Sequence, residues 1–404
     1  MQITRKVTND IIWVGANDRR LALFENLFPI SRGVSYNSYL IMDEKITLMD
    51  TVDASATGQF MENLEYVLDG KSIDYLVVQH MEPDHCANIG ELMFRYPEMK
   101  IVTNAKTVTM IRQFFKEPEA DRIVLVKEGE PFSTGRHTLH FVMAPMVHWP
   151  EVMVTYDSTD KVLFSADGFG TFGALNGNIF DDEIEFDRDW ISDARRYYTN
   201  IVGKYGAQVQ ALLKKASGLD IQIICPLHGP IWRENLGYII DKYDKWSRYE
   251  PEDQEVVIIY GSIYGHTEAA ANALAAVLAE KGLKHISVYD ASSTHVSQLI
   301  AEIFRASHIV LACPTYNGGI YPPIENLLAD MKALAVQKRT VAVMENGTWA
   351  VTAGKQIIQK LEELKQMNIL EQKLTMKSAL KQEQAAELEA FAQQIADSFH
   401  ADRD

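Results

Sequence analysis

The chain is predicted to be an α/β protein of two domains, and three observations predict it. A polar, acidic, proline-containing break runs from Ser247 to Glu255, the composition of an interdomain linker. After it, apolar strands and helices alternate strictly, the pattern of a doubly wound parallel sheet covered on both faces. Before it, strands with short turns give way to helices, and side chains able to bind metal recur where strands end. At 404 residues the chain is too long for one ordinary core, so we place the domains at residues 1–249 and 255–404.

In the first domain, Ile11–Val14, Ser35–Ile41 and Ile46–Met49 run apolar or alternate and read as strands, the third closed by Asp50. A helix over Ala56–Leu68 leads into the apolar strand Ile73–Gln79. Further strands follow at Lys100–Val102, Ile123–Val126, Thr138–Met143, Val152–Tyr156 and Val162–Ser165. The periodicity of Asp187–Ala216 predicts one long helix, and Ile221–Ile224 a last strand. In the second domain the strand Val256–Tyr260 precedes a helix from Thr267 to Lys281. There Leu274, Val277 and Leu278 share a face, and Gly282 stands at the C-terminal cap. Strands His285–Tyr289, His308–Cys313, Thr340–Glu345 and Leu370–Met376 come next, and a helix over Glu383–Ala401 ends the pattern.

The net charge of -16 argues against nucleic acid or an anionic membrane as a partner, because neither polyanion would be attracted. No apolar leader and no stretch near the ~20 apolar residues of a bilayer span is present, so a cytoplasmic location is expected. Cys86, Cys225 and Cys313 stand alone. An odd count without a C-x-x-C pair excludes a disulfide framework and a built-in rubredoxin module, and each reads as a small buried apolar residue.

The densest chemistry is the run from His80 to His85. His80, Glu82, Asp84 and His85 fall directly behind the strand Ile73–Gln79. Two imidazoles and two carboxylates this close are costly to hold together unless a cation neutralises the acids. Zinc prefers nitrogen and sulfur, whereas two carboxylates beside imidazoles suit harder ions such as iron or manganese. Three more strand ends carry candidates: His148 opens His148-Trp149-Pro150, Asp167 closes Val162–Asp167, and His228 closes Ile223–His228. Each alone is weak, since a strand-end histidine is more often a hydrogen-bonded core residue. Together they predict four loops of one sheet edge delivering ligands to one centre. His137, His140, His285, His295 and His400 lack this context and read as surface or satisfied core residues.

A second constellation follows the linker. Strand Val256–Tyr260 runs through Gly261 into Ser262, Ile263, Tyr264, Gly265, His266 and Thr267, ahead of a helix. No lysine precedes Thr267, so this is not a Walker loop. Hydroxyls, a permissive glycine and backbone N–H groups at a helix N-terminus instead suit a phosphate monoester. Strand His308–Cys313 ends in Pro314, Thr315, Tyr316, Asn317, Gly318 and Gly319. Strand Thr340–Glu345 ends, after Glu345, in Asn346, Gly347, Thr348, Trp349 and Ala350. In a sheet of order 2-1-3-4-5 these three loops converge outside the carboxyl ends of the strands. Tyr316 and Trp349 can flank a flat tricyclic ring while the glycine turns meet its polar edge. The three loops together resemble flavodoxin, which implies FMN as the ligand.

The first domain resembles the metallo-β-lactamase fold, an αββα sandwich, in its diiron variant. The order H-x-E-x-D-H, then His148, Asp167 and His228-Gly229, carries the resemblance, together with the strand ending in Asp50 and the segment Tyr36–Leu40. In the hydrolase branch of that fold the motif is H-x-H-x-D-H, commonly with zinc. Glu82 in place of the second histidine resembles the flavodiiron proteins, whose two-domain layout matches essentially the whole chain. The resemblance implies one iron held by His80, Glu82 and His148, the other by Asp84, His85 and His228, and Asp167 bridging the two. It implies reduction of O2 to water or of NO to N2O, with FMN relaying electrons from a separate donor such as rubredoxin. It further implies a head-to-tail homodimer or dimer of dimers, with Trp149 near the neighbour's flavin. Relatives carry a histidine and a tyrosine over the diiron pocket; here Glu25 and Leu27, in Leu23–Pro29, stand in their places. Two other classes stay open: a zinc-dependent hydrolase with an accessory flavodoxin domain, and an electron-transfer flavoprotein whose first domain binds a partner.

Overall fold

The computed structural model describes residues 1–116 and 118–401. They form two compact units: residues 1–198 with 207–244, and residues 199–206 with those from 245 onward. No helix among the described residues is long and apolar enough to cross a membrane.

The first unit is a sandwich of two sheets. One pairs, in chain order, β1 (Arg5–Lys6), β2 (Ile11–Trp13), β3 (Tyr39–Ile41), β4 (Thr47–Met49), β5 (Tyr75–Val77), β6 (Lys100–Thr103) and β7 (Ile123–Leu125). Its pairings are antiparallel as far as β4 and parallel beyond. The other pairs β8 (Pro131–Ser133), β9 (Thr138–Met143), β10 (Met153–Asp157), β11 (Val162–Phe164) and β12 (Ile223–Cys225), with only the last pairing parallel. Trp13, Tyr39, Met49 and Val77 from the first sheet share a buried core with Leu139, Phe141, Met153 and Phe164 from the second. Every residue of β3 and β4 is buried, which is why both read as apolar runs and not as alternating strands. Cys86, Cys225 and Cys313 are free and buried, as their isolation predicts.

Two elements predicted in the first domain break, and each break has a cause. The expected strand Ser35–Ile41 divides at Asn37 and Ser38: Val34–Tyr36 pairs with Ala16–Asp18, while Tyr39–Ile41 enters the main sheet. Asn37 is withdrawn from the ladder to serve another chain segment. It accepts from Trp13 Nε1 at 2.9 Å and donates to the carbonyls of Pro226 and Gly229 at 2.9 Å each, clasping the loop that carries His228. The single helix expected over Asp187–Ala216 becomes α-helices Phe186–Asp189, Ile191–Tyr197 and Gly206–Ala216 around a π-helical turn, Tyr198–Val202, and a 3₁₀ turn, Gly203–Tyr205. A π turn changes the angular register of the side chains on either side of it, so apolar spacing alone did not reveal the interruption.

The second unit pairs β13 (Asp253–Tyr260), β14 (Ile286–Asp290), β15 (Ala306–Tyr316), β16 (Thr340–Asn346) and β17 (Asn368–Ile369) in the order β14-β13-β15-β16-β17, all parallel. This is the 2-1-3-4-5 order, with helices His266–Glu280, Val296–Arg305, Pro322–Ala333 and Ala353–Glu362 between strands. The predicted strand Leu370–Met376 is two pieces, β17 and β18 (Leu374–Met376), each paired to β16. The gap between them lets Lys373 Nζ reach the Glu345 carboxylate at 2.5 Å. Buried Arg339 donates to the carbonyls of Ile303, Phe304 and Tyr249, at 2.8, 2.7 and 2.7 Å, closing a helix end and anchoring the interdomain segment.

Candidate metal centre and flavin cradle

All seven residues predicted to bind metal lie together, every one at least nine-tenths buried. They come from both sheets, not from the single sheet edge expected. His80 and Glu82 follow β5, Asp84 and His85 sit on the short helix Pro83–Cys86, and His148, Asp167 and His228 follow β9, β11 and β12. The carboxyl ends of these strands meet at one pole of the sandwich, which a linear reading cannot distinguish from one edge.

The donors sort into two groups: His80, Glu82, His148 and Asp167, and Asp84, His85 and His228. In the first, His148 Nε2 lies 3.0 Å from Glu82 Oε2 and 3.0 Å from Asp167 Oδ2, and 3.3 Å from His80 Nε2. In the second, His85 Nε2 lies 3.0 Å from His228 Nε2, and His228 Nε2 3.2 Å from Asp84 Oδ2. Asp167 faces both, because its Oδ1 is 3.2 Å from His85 Nε2. Imidazole nitrogens at such separations repel unless a proton or a cation lies between them. Both Asp84 oxygens and Asp167 Oδ1 are buried without a hydrogen-bond partner, a cost that a cation relieves. The donor set therefore fits two metal ions of the oxygen-preferring kind.

Electrostatics without an ion point the same way. Burial opposes charge on His80, but its hydrogen bonds to Asp167, Glu151 and Glu82 outweigh it and hold the imidazole well above its ordinary range. His148 is likewise carried up to about 9 against its burial by Asp167 and Glu82. Burial would raise Asp167, yet the charge of His85 and hydrogen bonds from His148 and His80 hold it well below the usual carboxylate range. Protons on the imidazoles thus stand where cations would sit, and binding metal displaces them.

Residues that the sequence reading passed over fix the donors. His80 Nδ1 lies 2.8 Å from Glu151 Oε1, which also accepts from Met81 N at 2.9 Å, so His80 presents Nε2 to the centre. His228 Nδ1 donates to Ser35 O at 2.7 Å. Gly229, at φ +76°, is required next to it, since a Cβ would come within 2.2 Å of Thr171 Cγ2. Removing such an orienting carboxylate typically costs ~10–100-fold in metal affinity. Glu151→Ala is expected to fall in that range in a chelator competition assay with FMN content unchanged; unchanged metal retention would remove Glu151 from this role.

Tyr197, on the helix Ile191–Tyr197, packs its ring 5.6 Å from His228, and its hydroxyl is buried with no partner. Tyr197 thus places a tyrosine beside the centre that the sequence reading passed over. Leu27 is more than half exposed at the tip of the hairpin Leu23–Phe24/Phe28–Pro29. Glu25, on that hairpin, does line the cavity beside Glu82, and burial followed by the charge of Glu82 pushes its carboxyl up to about 8. The signal for Tyr197 was hidden by the π turn that follows it.

A third grouping, Asp10, His137 and Asp160, is held by an arginine. Arg136 bonds Asp10 at 2.8 Å and Asp160 at 2.6 Å, and His137 Nδ1 lies 2.8 Å from Asp157 Oδ2. His137 is the satisfied core histidine expected. Burial disfavours its charge, but Asp157, Asp10 and Asp160 prevail and raise it. A raised imidazole contributes stability fully present below its unfolded value of about 6.5 and lost as pH climbs through the folded value. The thermal midpoint should therefore decline with rising pH above neutrality in the unsubstituted chain and do so less in His137→Gln; equal slopes would exclude this contribution.

In the second unit, Ser262, Ile263, Tyr264, His266, Thr267, Pro314, Thr315, Asn346, Gly347, Thr348, Trp349 and Ala350 line one cavity of about 260 Å³. Ser378, which the sequence reading missed, joins them. Gly265, at φ +85°, is the N-cap of the helix His266–Glu280 and offers no side-chain cap; Glu268 N donates to Ser262 Oγ at 3.4 Å, and the N–H groups of His266 and Thr267 remain for an anion. Asn346 Oδ1 is buried without a partner, and Trp349 is 81 % exposed. Tyr316, Asn317, Gly318 and Gly319 form the adjoining β-turn, clasped by Thr352 Oγ1 and Gln356 Nε2 donating to Gly318 O at 2.9 Å each. Glu345 does not face the cavity: its carboxylate accepts from Gly354 N and Thr375 Oγ1 at 2.9 Å each and pairs with Lys373. The cavity fits a phosphate-bearing flavin, with Glu345 bracing the loop from behind.

Two family models match this chain: an ODP family beta lactamase over residues 34–229 and a flavodoxin over residues 258–392. It is 32 % identical to the anaerobic nitric oxide reductase flavorubredoxin of Vibrio vulnificus over 352 residues, 86 % of this chain and 70 % of that one. The chain belongs to the flavodiiron family. The rubredoxin oxygen:oxidoreductase of Desulfovibrio gigas superposes with a TM-score of 0.90 at 30 % identity, over 98 % of this chain and 99 % of that one. The flavodiiron protein of Giardia intestinalis shares the fold, with a TM-score of 0.91 at 24 % identity, over 98 % and 97 % of the two chains. A flavodiiron chain has its two halves in this order, a β-lactamase-like sandwich and then a flavodoxin-like sheet.

Proposed function

We propose that this chain is an oxidoreductase that reduces NO to N2O, O2 to water, or both, at two non-haem irons supplied with electrons through FMN. The observation that carries the reading is Asp167, whose two oxygens face two separate donor groups, one containing Glu82. His80, Glu82 and His148 hold one iron, Asp84, His85 and His228 the other, and Asp167 bridges. When bound, the irons supply electrons and Lewis acidity to the gas. Three carboxylates offset their charge, Glu151 and Ser35 set the imidazole tautomers, and the rings of Phe24, Tyr36 and Tyr197 around His228 restrict water.

The flavin phosphate is received by Ser262–Thr267 and the ring by the loops ending in Thr315 and Trp349. The donor is a separate small redox protein such as rubredoxin, and the working form is a head-to-tail homodimer or a dimer of dimers in the cytoplasm. Trp149, whose ring stands 5.2 Å edge-on from His80, would then lie near the second copy's flavin. Glu82 weighs against a zinc hydrolase, which would use nitrogen there.

Purified chain is to be analysed for iron, zinc and FMN, then reduced anaerobically and offered each gas in turn. About two irons and one FMN per chain with consumption of NO or O2 is the expected result. Zinc without iron, or iron and FMN without turnover of either gas, would overturn the reading.

A further inference from the structure

The metal centre opens to the surface through a cavity of about 420 Å³ whose lining includes Asp18, Glu25, Asp53, Glu82 and Asp84 and, among the described residues, no lysine or arginine. We infer that this acidic vestibule is the route by which a divalent cation reaches the centre, with Asp18 and Asp53 drawing it in and Asp84 receiving it. The inference rests on the reading of the seven donors as a metal site.

Asp84 marks where the route ends. It is 8 % exposed, lines the vestibule, and neither of its oxygens has a hydrogen-bond partner. Asp18 and Asp53 stand further out and are held by neutral donors. Asp18 Oδ1 accepts from Arg20 N and Leu21 N at 2.8 and 3.1 Å, and Oδ2 from Ser55 Oγ at 3.2 Å. Asp53 Oδ1 accepts from Ser55 N at 2.7 Å. Their charges reach inward: after burial, Asp53, Asp84 and Asp18 are the groups that raise the hydroxyl of Tyr36, which lines the same space. Neutral gases gain nothing from such a mouth. A dication does, because a cleft lined by one sign of charge in a low-dielectric wall focuses the field and raises the local cation concentration.

Asparagine keeps one oxygen for the backbone N–H groups that each aspartate caps, and at residue 18 its NH2 can donate to Ser55 Oγ where Oδ2 accepted, so the double variant Asp18→Asn/Asp53→Asn removes the charge and isolates steering from folding. The full chain, stripped of metal by chelation and retaining its FMN, is mixed anaerobically with ferrous iron, and uptake is followed by timed quenching with a chromogenic chelator. In the unsubstituted chain, uptake should slow steeply with ionic strength, as screening over about 10 Å at 0.1 M demands. The double variant should take up iron about tenfold more slowly at low salt, reach the same final iron per chain, and converge on the unsubstituted rate at high salt. Asp53→Glu, which keeps the charge, should load at the original rate. Equal rates at low salt, or a lower final iron content in the double variant, would overturn the inference. Failure of the unsubstituted chain to take up iron at all would instead overturn the reading of the metal centre.

Discussion

Asp167→Asn is expected to leave a chain that binds FMN normally but holds less than its full iron and consumes neither NO nor O2 at a useful rate. The bridging position explains the severity. One Asp167 oxygen stands 3.0 Å from His148 Nε2 and the other 3.2 Å from His85 Nε2, so a single carboxylate serves both donor groups. An amide offers one oxygen and turns N–H donors toward imidazole nitrogens that must present lone pairs to metal. Loss of an orienting partner already costs ~10–100-fold, so loss of the bridge should cost turnover more than about 100-fold. Iron-to-FMN ratio and gas electrodes measure it. Retention of two irons with near-normal turnover would show that Asp167 is not the bridge.

Gly347→Ala is expected to do the converse, emptying the flavin cavity while the irons stay. A Cβ at residue 347 would lie 1.9 Å from Ala350 O and 3.2 Å from Val351 Cγ2. A backbone carbonyl cannot yield as a flexible side-chain end does, so the loop Asn346–Ala350, which lines the cavity, must move. An FMN affinity loss of at least about tenfold, roughly 1.4 kcal/mol, is expected. Fluorescence titration of the stripped chain reads it directly. Electron flow from donor to gas should fall with flavin content and recover in excess FMN, with iron content unchanged. If FMN binds as tightly as before, that loop does not hold the flavin. Together the two variants separate the electron-receiving half from the gas-reducing half.

Much of the site is legible from strand ends because a β-strand is a ruler: a residue after an apolar run must emerge at the sheet's pole. His80, His148, Asp167 and His228 follow that rule, and so do Ser262, Pro314 and Asn346. Residues that act across the fold leave no such trace. Glu151 sits near His148 in sequence but acts on His80 through a 2.8 Å contact. Tyr197 lies on a helix whose π turn disrupts the periodicity that would have oriented it. Glu345 shows the reverse error: its place at a strand end suggested a flavin contact, yet the alternation of β16 turns its carboxylate to Gly354, Thr375 and Lys373.

By itself the sequence determined the two-domain α/β architecture and the donor types at the metal centre, and its motifs carried the resemblance that implied the family and the order 2-1-3-4-5 of the second sheet. Those follow from local patterns, apolar periodicity and dense motifs, which survive in one dimension. Only the tertiary structure decided that the donors come from two sheets, that Asp167 faces both groups, that Tyr197 packs on His228 while Leu27 is exposed, and that Asp18 and Asp53 line one cavity with Glu82 and Asp84. Each of these depends on which surfaces meet when the sheets pack. Packing joins residues far apart in the chain through distance and direction, and no local pattern encodes either.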